Sequence, residues 1–351
     1  MASFQNISAI TLASLFSVFV NGCPQPPKTY VRPSATNGGE EDPAIRAIEA
    51  TGGSCFRYEE LKGLLVKRDR YWLKETEGNP VVSICVSDCN TPKQLIDDIA
   101  KFKHIQSLCI QKTALTDQEA AVIAGMPTIT ELRLENTTFT GKGISELAKL
   151  KLEHLNFDFN QTGDKGLEII ATIKTLKELH LNGTMASNAG YAHLANLTEL
   201  KYLSIGDTKL TDAVFAKWSG LNNLEELSLN GANISSDGFK HLKNSKIRKL
   251  DLIYSEISPA GLRGIAKLTS VEEMSLFHSS GTHTGLESLA KMNSLRSLNL
   301  YGTSVTVKGL KKVAASKSLR QVDVTNTKIT HAQCHSFNQT SGQCRAIIID
   351  D

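Results

Sequence analysis

The sequence predicts an α/β solenoid, a stack of strand–turn–helix units with a curved parallel β-sheet on its concave side and short helices on its convex side. Three observations predict it. In "LEELSLNGANISSDGFKHL", residues 224–242, Leu227 and Leu229 alternate with Ser228 at a strand's two-residue period; after Asn230-Gly231, Phe239 and Leu242 keep a helix-like spacing of three. The same frame, LxxLxLxxT, begins at Val81, Ile105, Ile129, Leu152, Leu176, Leu200, Leu224, Ile247, Val271, Leu295 and Leu319, in steps of 24 broken by two of 23. The ninth position is Thr in Thr113, Thr137, Thr184, Thr208, Thr303 and Thr327, and Cys89, Asn160, Ala232, Ser255 and Ser279 elsewhere. A small polar side chain there can bond the backbone of the next turn, whose groups would otherwise go unpaired inside a stack.

Within a unit, Ser235, Ser236 and Asp237 supply a helix start after the strand and turn. The pattern resembles the bacterial leucine-rich repeat proteins whose units read LxxLxLxxTxVTDxGLxxLxxLxx. "LKYLSIGDTKLTDAVF", "LRSLNLYGTSVTVKGL" and "LRQVDVTNTKIT" carry the likeness, over about 250 of 351 residues. The resemblance implies a leucine-rich repeat solenoid that serves as a binding surface, without naming what it binds. Three units depart from the pattern: Thr162, Ala186 and Gly281 stand where a large apolar residue is expected, so looser packing or a bend is expected there.

A solenoid accommodates 351 residues in one elongated domain, because each unit packs only on its neighbours. The eleven units occupy residues 81–329, between an N-terminal cap at 44–80 and a C-terminal cap at 330–351. In the first cap, Asp42 and Pro43 start a short helix that Gly52-Gly53 stops, and Phe56, Tyr58, Leu65, Tyr71 and Trp72 form a small core. Residues 23–43 are a Pro-rich tether too poor in apolar residues to fold.

Residues 1–22 lack Asp, Glu, Lys and Arg, and "ISAITLASLFSVFV" is a run of 14 apolar or small residues, too short to span a bilayer comfortably and suited to a signal peptide. Val20-Asn21-Gly22-Cys23 resembles a lipoprotein cleavage box, which makes Cys23 the expected lipidation site and places the chain in the cell envelope on a lipid anchor. Ordinary secretion is the alternative. Asn21, and the absence of a basic residue before the apolar run, depart from the lipoprotein pattern.

With Cys23 lipidated, six Cys residues remain, an even number suited to an oxidising compartment. Cys334 and Cys344 both point toward the last turn of the core, and a capping disulfide between them is expected. The resemblance adds that Cys344 opens a structural terminal strand, "CRAIII". Cys85 and Cys109 hold the fifth position of adjacent units, about 4.8 Å apart, either as a disulfide or as two thiols. Cys89 fills the Thr slot and could also pair with Cys55.

No nucleophile elbow, zinc-protease helix, phosphate-cradling Gly loop or paired CxxC motif occurs, so neither catalysis, a metal nor a cofactor is expected. The net charge of +3 is too small to imply nucleic acid. Six Asn-x-Ser/Thr triplets, at Asn136, Asn160, Asn182, Asn196, Asn233 and Asn338, follow from the frame's own Thr.

Strand positions three, five, seven and eight should face outward. They collect Asp88, Glu131, Glu135, Asp158, Glu178, Asp207, Glu226, Asp251, Glu273 and Asp323 against Lys112, Arg133 and Lys249, an acidic surface on a slightly basic chain. Tyr254, Phe277, His278 and Tyr301 fall at positions seven and eight of three consecutive units, and exposed aromatics have no packing reason to gather there. Phe159, His180 and Tyr202 form a second group. The expected function is therefore a non-catalytic protein-binding scaffold, exported and membrane-tethered only through lipid. The alternative is an adaptor or host-directed effector on the same fold.

Overall fold

The structure is a computed structural model that describes residues 41–51, 53–57, 81–206, 210–281, 284–341 and 344–348. The expected signal peptide, Cys23, Tyr58, Leu65, Tyr71, Trp72 and Asp207 lie outside these residues, as does the tether up to residue 40. The chain divides into two compact units between Leu152 and Glu153.

In the first unit, α1 (Glu41–Ala50) precedes β1 (Ser54–Arg57), β2 (Val81–Ser87), β3 (Ser107–Gln111) and β4 (Glu131–Glu135), with α2 (Pro92–Ile99), α3 (Asp117–Ala124) and α4 (Gly141–Leu147) after β2, β3 and β4. β1 runs antiparallel to β2, while β2, β3 and β4 are parallel with Ser83, Ser107 and Glu131 in register. The antiparallel strand gives β2 a partner on its outer side.

In the second unit, nine strands pair in the order β5 (His154–Asn156), β6 (Glu178–His180), β7 (Tyr202–Gly206), β8 (Glu226–Asn230), β10 (Lys249–Asp251), β12 (Glu273–Ser275), β13 (Ser297–Asn299), β14 (Gln321–Asp323) and β15 (Arg345–Ile347), all parallel. β9 (Asn233–Ile234) and β11 (Glu256–Ile257) form a small parallel pair of their own. The returns are α5 (Gly163–Ile170), α6 (Asn188–Ala192), α7 (Pro259–Ile265), α8 (Val307–Val313) and α9 (His331–Thr340), with 3-10 turns at Asp212–Gly220, Gly238–Leu242 and Leu286–Lys291.

The repeat frame puts its apolar residues inside. Leu155 and Phe157, Leu203 and Ile205, Leu250 and Leu252, and Leu298 and Leu300 are all buried. The ninth-position side chains bond the turns as expected: Thr303 Oγ1 donates to Leu300 O at 2.6 Å, and Ala232 N donates to Ser255 Oγ at 3.2 Å. An Asp in the helix entry links one turn to the next. Asp164 Oδ1 accepts Ser187 N at 2.7 Å while Oδ2 accepts Ser187 Oγ at 2.7 Å, and Asp117 and Asp212 treat Thr140 and Ser236 in the same way.

At Gly281 the expected looseness is overturned. A Cβ added to Gly281 would stand 2.2 Å from Ile257 O, and the residue has φ +75°, so only glycine fits this tight approach. Ala186 is buried, and so is Tyr191 five residues on, which bonds Thr184 Oγ1 through its hydroxyl and accepts Trp218 Nε1 on its carbonyl at 2.9 Å. Thr162 is buried and donates to Asn160 O at 3.3 Å.

The terminal strand β15 is closed by a side chain. Asn338 Nδ2 donates to Ala346 O at 2.8 Å and Asn338 Oδ1 accepts Ala346 N at 2.8 Å, so one amide takes the place of a further strand. The amides of Asn160 and Asn182 are likewise bonded and buried, on Asp158 O and Asp158 Oδ1, and these three triplets serve the fold. Asn338→Ala leaves both groups of a buried residue without partners and should cost roughly 2 kcal/mol. Urea unfolding measures it, and a loss below about 0.5 kcal/mol would show that the edge does not depend on this amide.

The expected Cys334–Cys344 disulfide is not formed. Both thiols are free and buried, because α9 turns Cys334 Sγ toward Ala346 O at 3.4 Å. Cys109 is also free, so it is not bonded to its register partner Cys85, and burial pushes its thiol up to about 12. Cys89 is free as well.

Candidate functional site

Position eight of the frame sets the geometry of the site. Asp88, Lys112, Asn136, Phe159, Tyr254, His278 and Asn326 all have φ between 48° and 58°, and Gly183, Gly231 and Gly302 hold the same slot at 65° to 71°. These ten residues, one or three positions past a strand end, are therefore left-handed, which turns the chain out of the sheet toward its helix. Gly, Asn and Asp suit that backbone; bulky side chains raise its energy by about 1 to 2 kcal/mol. Tyr254, His278 and Phe159 occupy it nonetheless.

The structure brings together all four residues of the first expected group. Tyr254 stacks on His278 at 5.4 Å and meets Phe277 edge-on at 5.8 Å. Phe277 stacks on Tyr301 at 4.7 Å with only 11° between the rings, and His278 meets Phe277 and Tyr301 edge-on at 4.6 and 5.4 Å. Tyr254 is 65 % exposed, whereas the other three are half-buried. The imidazole of His278 covers Gly302, where a Cβ would lie 2.4 Å from the ring. The result is a contiguous aromatic surface on three neighbouring turns, fixed from below.

The second group separates. His180 and Tyr202 pair at 4.7 Å, while Phe159, 44 % exposed, lies over Gly183. His180 Nε2 donates to Glu178 Oε1 at 2.9 Å, and the other oxygen of Glu178 meets His154 Nδ1 at 3.2 Å. Burial pushes the Tyr202 phenol up, assisted by Glu178. Asp158 is fully buried and its carboxyl is raised by burial; its Oδ2 and His180 Nδ1 have no hydrogen-bond partner among the described residues.

The acidic surface is smaller than the sequence suggests. Glu131, Glu135, Asp158 and Asp251 are buried, because side chains on strands about 4.8 Å apart cover one another. Part of the charge is spent inside the row: Arg133 pairs with Glu131 at 2.7 Å, and Gln111 Nε2 donates to Glu135 Oε2 at 3.0 Å. Asp88 and Glu273 are exposed, and Glu178, Glu226 and Asp323 half-exposed.

Asp251 is the residue that sequence reasoning placed but misjudged. It lies on β10 beside Ser275 of β12, two residues before Phe277, and burial raises its carboxyl to about 6, with Lys249 opposing and Glu226 and Glu273 adding to the shift. Among the described residues no group of three His, Cys, Asp or Glu could hold a metal ion, and no helix is long and apolar enough to cross a membrane.

No family profile matches the sequence, and no curated protein matches it. Among solved structures, an internalin (inlF) from Listeria monocytogenes matches with a TM-score of 0.48 and 16% identity, covering 73% of this chain and 84% of that one. An internalin C2 (inlC2) from the same organism matches with a TM-score of 0.41 and 20% identity, covering 55% of this chain and 80% of that one.

Proposed function

We propose that this leucine-rich repeat chain is a non-catalytic protein-binding scaffold that meets its partner through Tyr254, Phe277, His278 and Tyr301. The observation that carries the reading is the pair of bulky rings, Tyr254 and His278, held in left-handed backbone positions where neighbouring units place Gly or Asn. A purely structural turn recovers in ring contacts about what the strained backbone costs, whereas an interface also gains rigid apolar area at low entropic cost. The half-exposed Glu226 and the exposed Glu273 on the same sheet face favour a partner that presents cationic side chains beside apolar ones. Capture from a native envelope extract, with the wild type and a ring-deleted variant run side by side, tests the site. Equal recovery of the same partner by both sinks it.

The same reading places the chain outside the cytoplasm. Residues 1–22 act as the signal, Cys23 carries lipid, and the Pro-rich segment holds the repeats away from the bilayer. The intact mass of the native protein should show a chain that starts at Cys23 and is heavier than its sequence by the lipid. A native chain that retains residues 1–22, or a Cys23→Ser variant that still sediments with membranes, rules this out.

A further inference from the structure

The second position of each repeat forms a row along the sheet edge where the strands begin. The row is charge-paired over most of the second unit: Lys177 Nζ lies 2.8 Å from Glu153, Lys201 Nζ 3.6 Å from Glu225, and Arg248 Nη2 2.9 Å from Glu272. The alternation then stops. Arg296 follows on β13's approach and senses Glu272, which Arg248 already holds. Arg320 comes next, with its Nη1 on the Lys317 and Leu319 carbonyls at 2.9 and 3.3 Å, and beside the end of the row stands Arg345 of β15, at the third position in register with Gln321.

These three arginines stand on three successive strands, joined through Arg320 N on Arg296 O at 2.9 Å and Arg345 N on Arg320 O at 2.8 Å, and all three are exposed. From Ser288 to Ile349 the sequence holds nine Lys and Arg residues and one acidic residue, Asp323. Asp323 is engaged locally, its Oδ1 accepting Thr325 N at 2.9 Å. Like charges on adjacent strands repel, so this run costs stability that a merely solvating surface would avoid by mixing signs.

We infer that Arg296, Arg320 and Arg345 form a second docking surface, separate from the aromatic one, for an acidic helical segment of a partner protein. The row itself shows what its guanidinium groups take, since Arg248 binds a carboxylate from the next strand. Spacing selects the shape of the occupant. Arg296 and Arg320 are one strand apart, about 4.8 Å, and Arg345 lies one strand and one residue further, about 6 Å away. Carboxylates at i and i+4 of a helix are about 5–6 Å apart, whereas alternate residues of an extended strand are nearly 7 Å apart. The Asn338 amide on Ala346 closes the neighbouring sheet edge, so the partner cannot attach as an added strand.

The test is fluorescence anisotropy with the full chain and a labelled alanine-based helix bearing Glu at i, i+4 and i+8. A peptide of the same composition with its Glu residues on three different faces is the control. The wild type should bind the aligned peptide at least tenfold more tightly than the control, and more weakly as salt rises. The triple variant R296Q/R320Q/R345Q should lose at least tenfold while its thermal unfolding is no lower than the wild type's, because all three side chains are exposed and their mutual repulsion is removed. A variant lacking the Tyr254 and Tyr301 rings should bind the peptide normally, which separates this surface from the aromatic one. Equal binding of the two peptides, or full binding by the triple variant, overturns the inference. Arginine-dependent sedimentation with phosphatidylglycerol vesicles in the absence of peptide binding also overturns it and assigns the surface to a membrane.

Discussion

Replacing Tyr254 by Asn together with Tyr301 by Ala should weaken partner capture by about 3 kcal/mol, over a hundredfold, while the fold stays within about 1 kcal/mol of the wild type. The binding loss follows from geometry. Tyr254 is the most exposed ring of the cluster, and Tyr301 is the flat support on which Phe277 stacks at 4.7 Å. Deleting both removes the outermost contact area and frees Phe277 to move. Stability is held by compensation. Losing ring contacts costs about 0.5–1.5 kcal/mol each, but Asn at position 254 suits φ +55° and recovers part of the 1 to 2 kcal/mol that a bulky residue pays there. Asn136 and Asn326 already occupy this slot in other units. Surface-based affinity and urea unfolding on the same preparations separate the two effects. Unchanged affinity in a folded variant would mean that the rings only roof the turn, and a loss of several kcal/mol in stability would mean that they belong to the core.

How much of this was legible depended on whether a position speaks through side-chain type or through backbone shape. Leu203 and Leu227 declare an inward face because nothing else explains apolar residues at that period, and Thr303 declares its role because a buried hydroxyl must find a carbonyl. The aromatic cluster was readable from register alone, since parallel strands set equal positions side by side. The left-handed turn was not inferred, although Asn136, Gly183, Gly231, Gly302 and Asn326 recur at position eight and carry its signal. Frame position alone misassigned Asp158 and Asp251 to the surface, because alternation says which side of a sheet a residue takes and not how far its neighbours cover it. The thiols failed for a related reason. Register brings Cys85 beside Cys109 without making them a pair, since Cys85 is disulfide-bonded and Cys109 is free, just as Cys334 turns to the Ala346 carbonyl and leaves Cys344 free. Asn338 shows the opposite limit: in the sequence it is only one of six Asn-x-Ser/Thr triplets, and only the fold reveals an amide that stands in for a strand.

Asp251→Asn should stabilise the protein by roughly 2 to 3 kcal/mol at pH 7 and leave it nearly unchanged at pH 4. Burial raises this carboxyl from 3.8 to about 6, a shift of about two units, each worth about 1.4 kcal/mol. The folded state therefore keeps its proton across a window in which the unfolded chain has already released it. Within that window the folded state binds more protons, so its stability falls as pH rises from about 4 to about 6, and the loss is complete above the folded value. Lys249 opposes the shift, while Glu226 and Glu273 add to it. Asp117 and Asp164 titrate in the other sense, since hydrogen bonds from Thr140 and Ser187 hold them below the usual carboxylate range, and they lose stability as pH falls. The measurement is therefore the difference between variant and wild type across pH 4 to 8 by urea unfolding. A difference that grows toward neutral pH supports the assignment, and a constant offset refutes it. A carboxylate kept at this cost on the sheet face, in register with Ser275, makes sense if a partner's cation meets it, because the same ionisation that weakens the free fold then strengthens the complex. Capture by the wild type should accordingly rise as pH passes through about 6, and the Asn variant should lose that dependence while becoming the more stable protein.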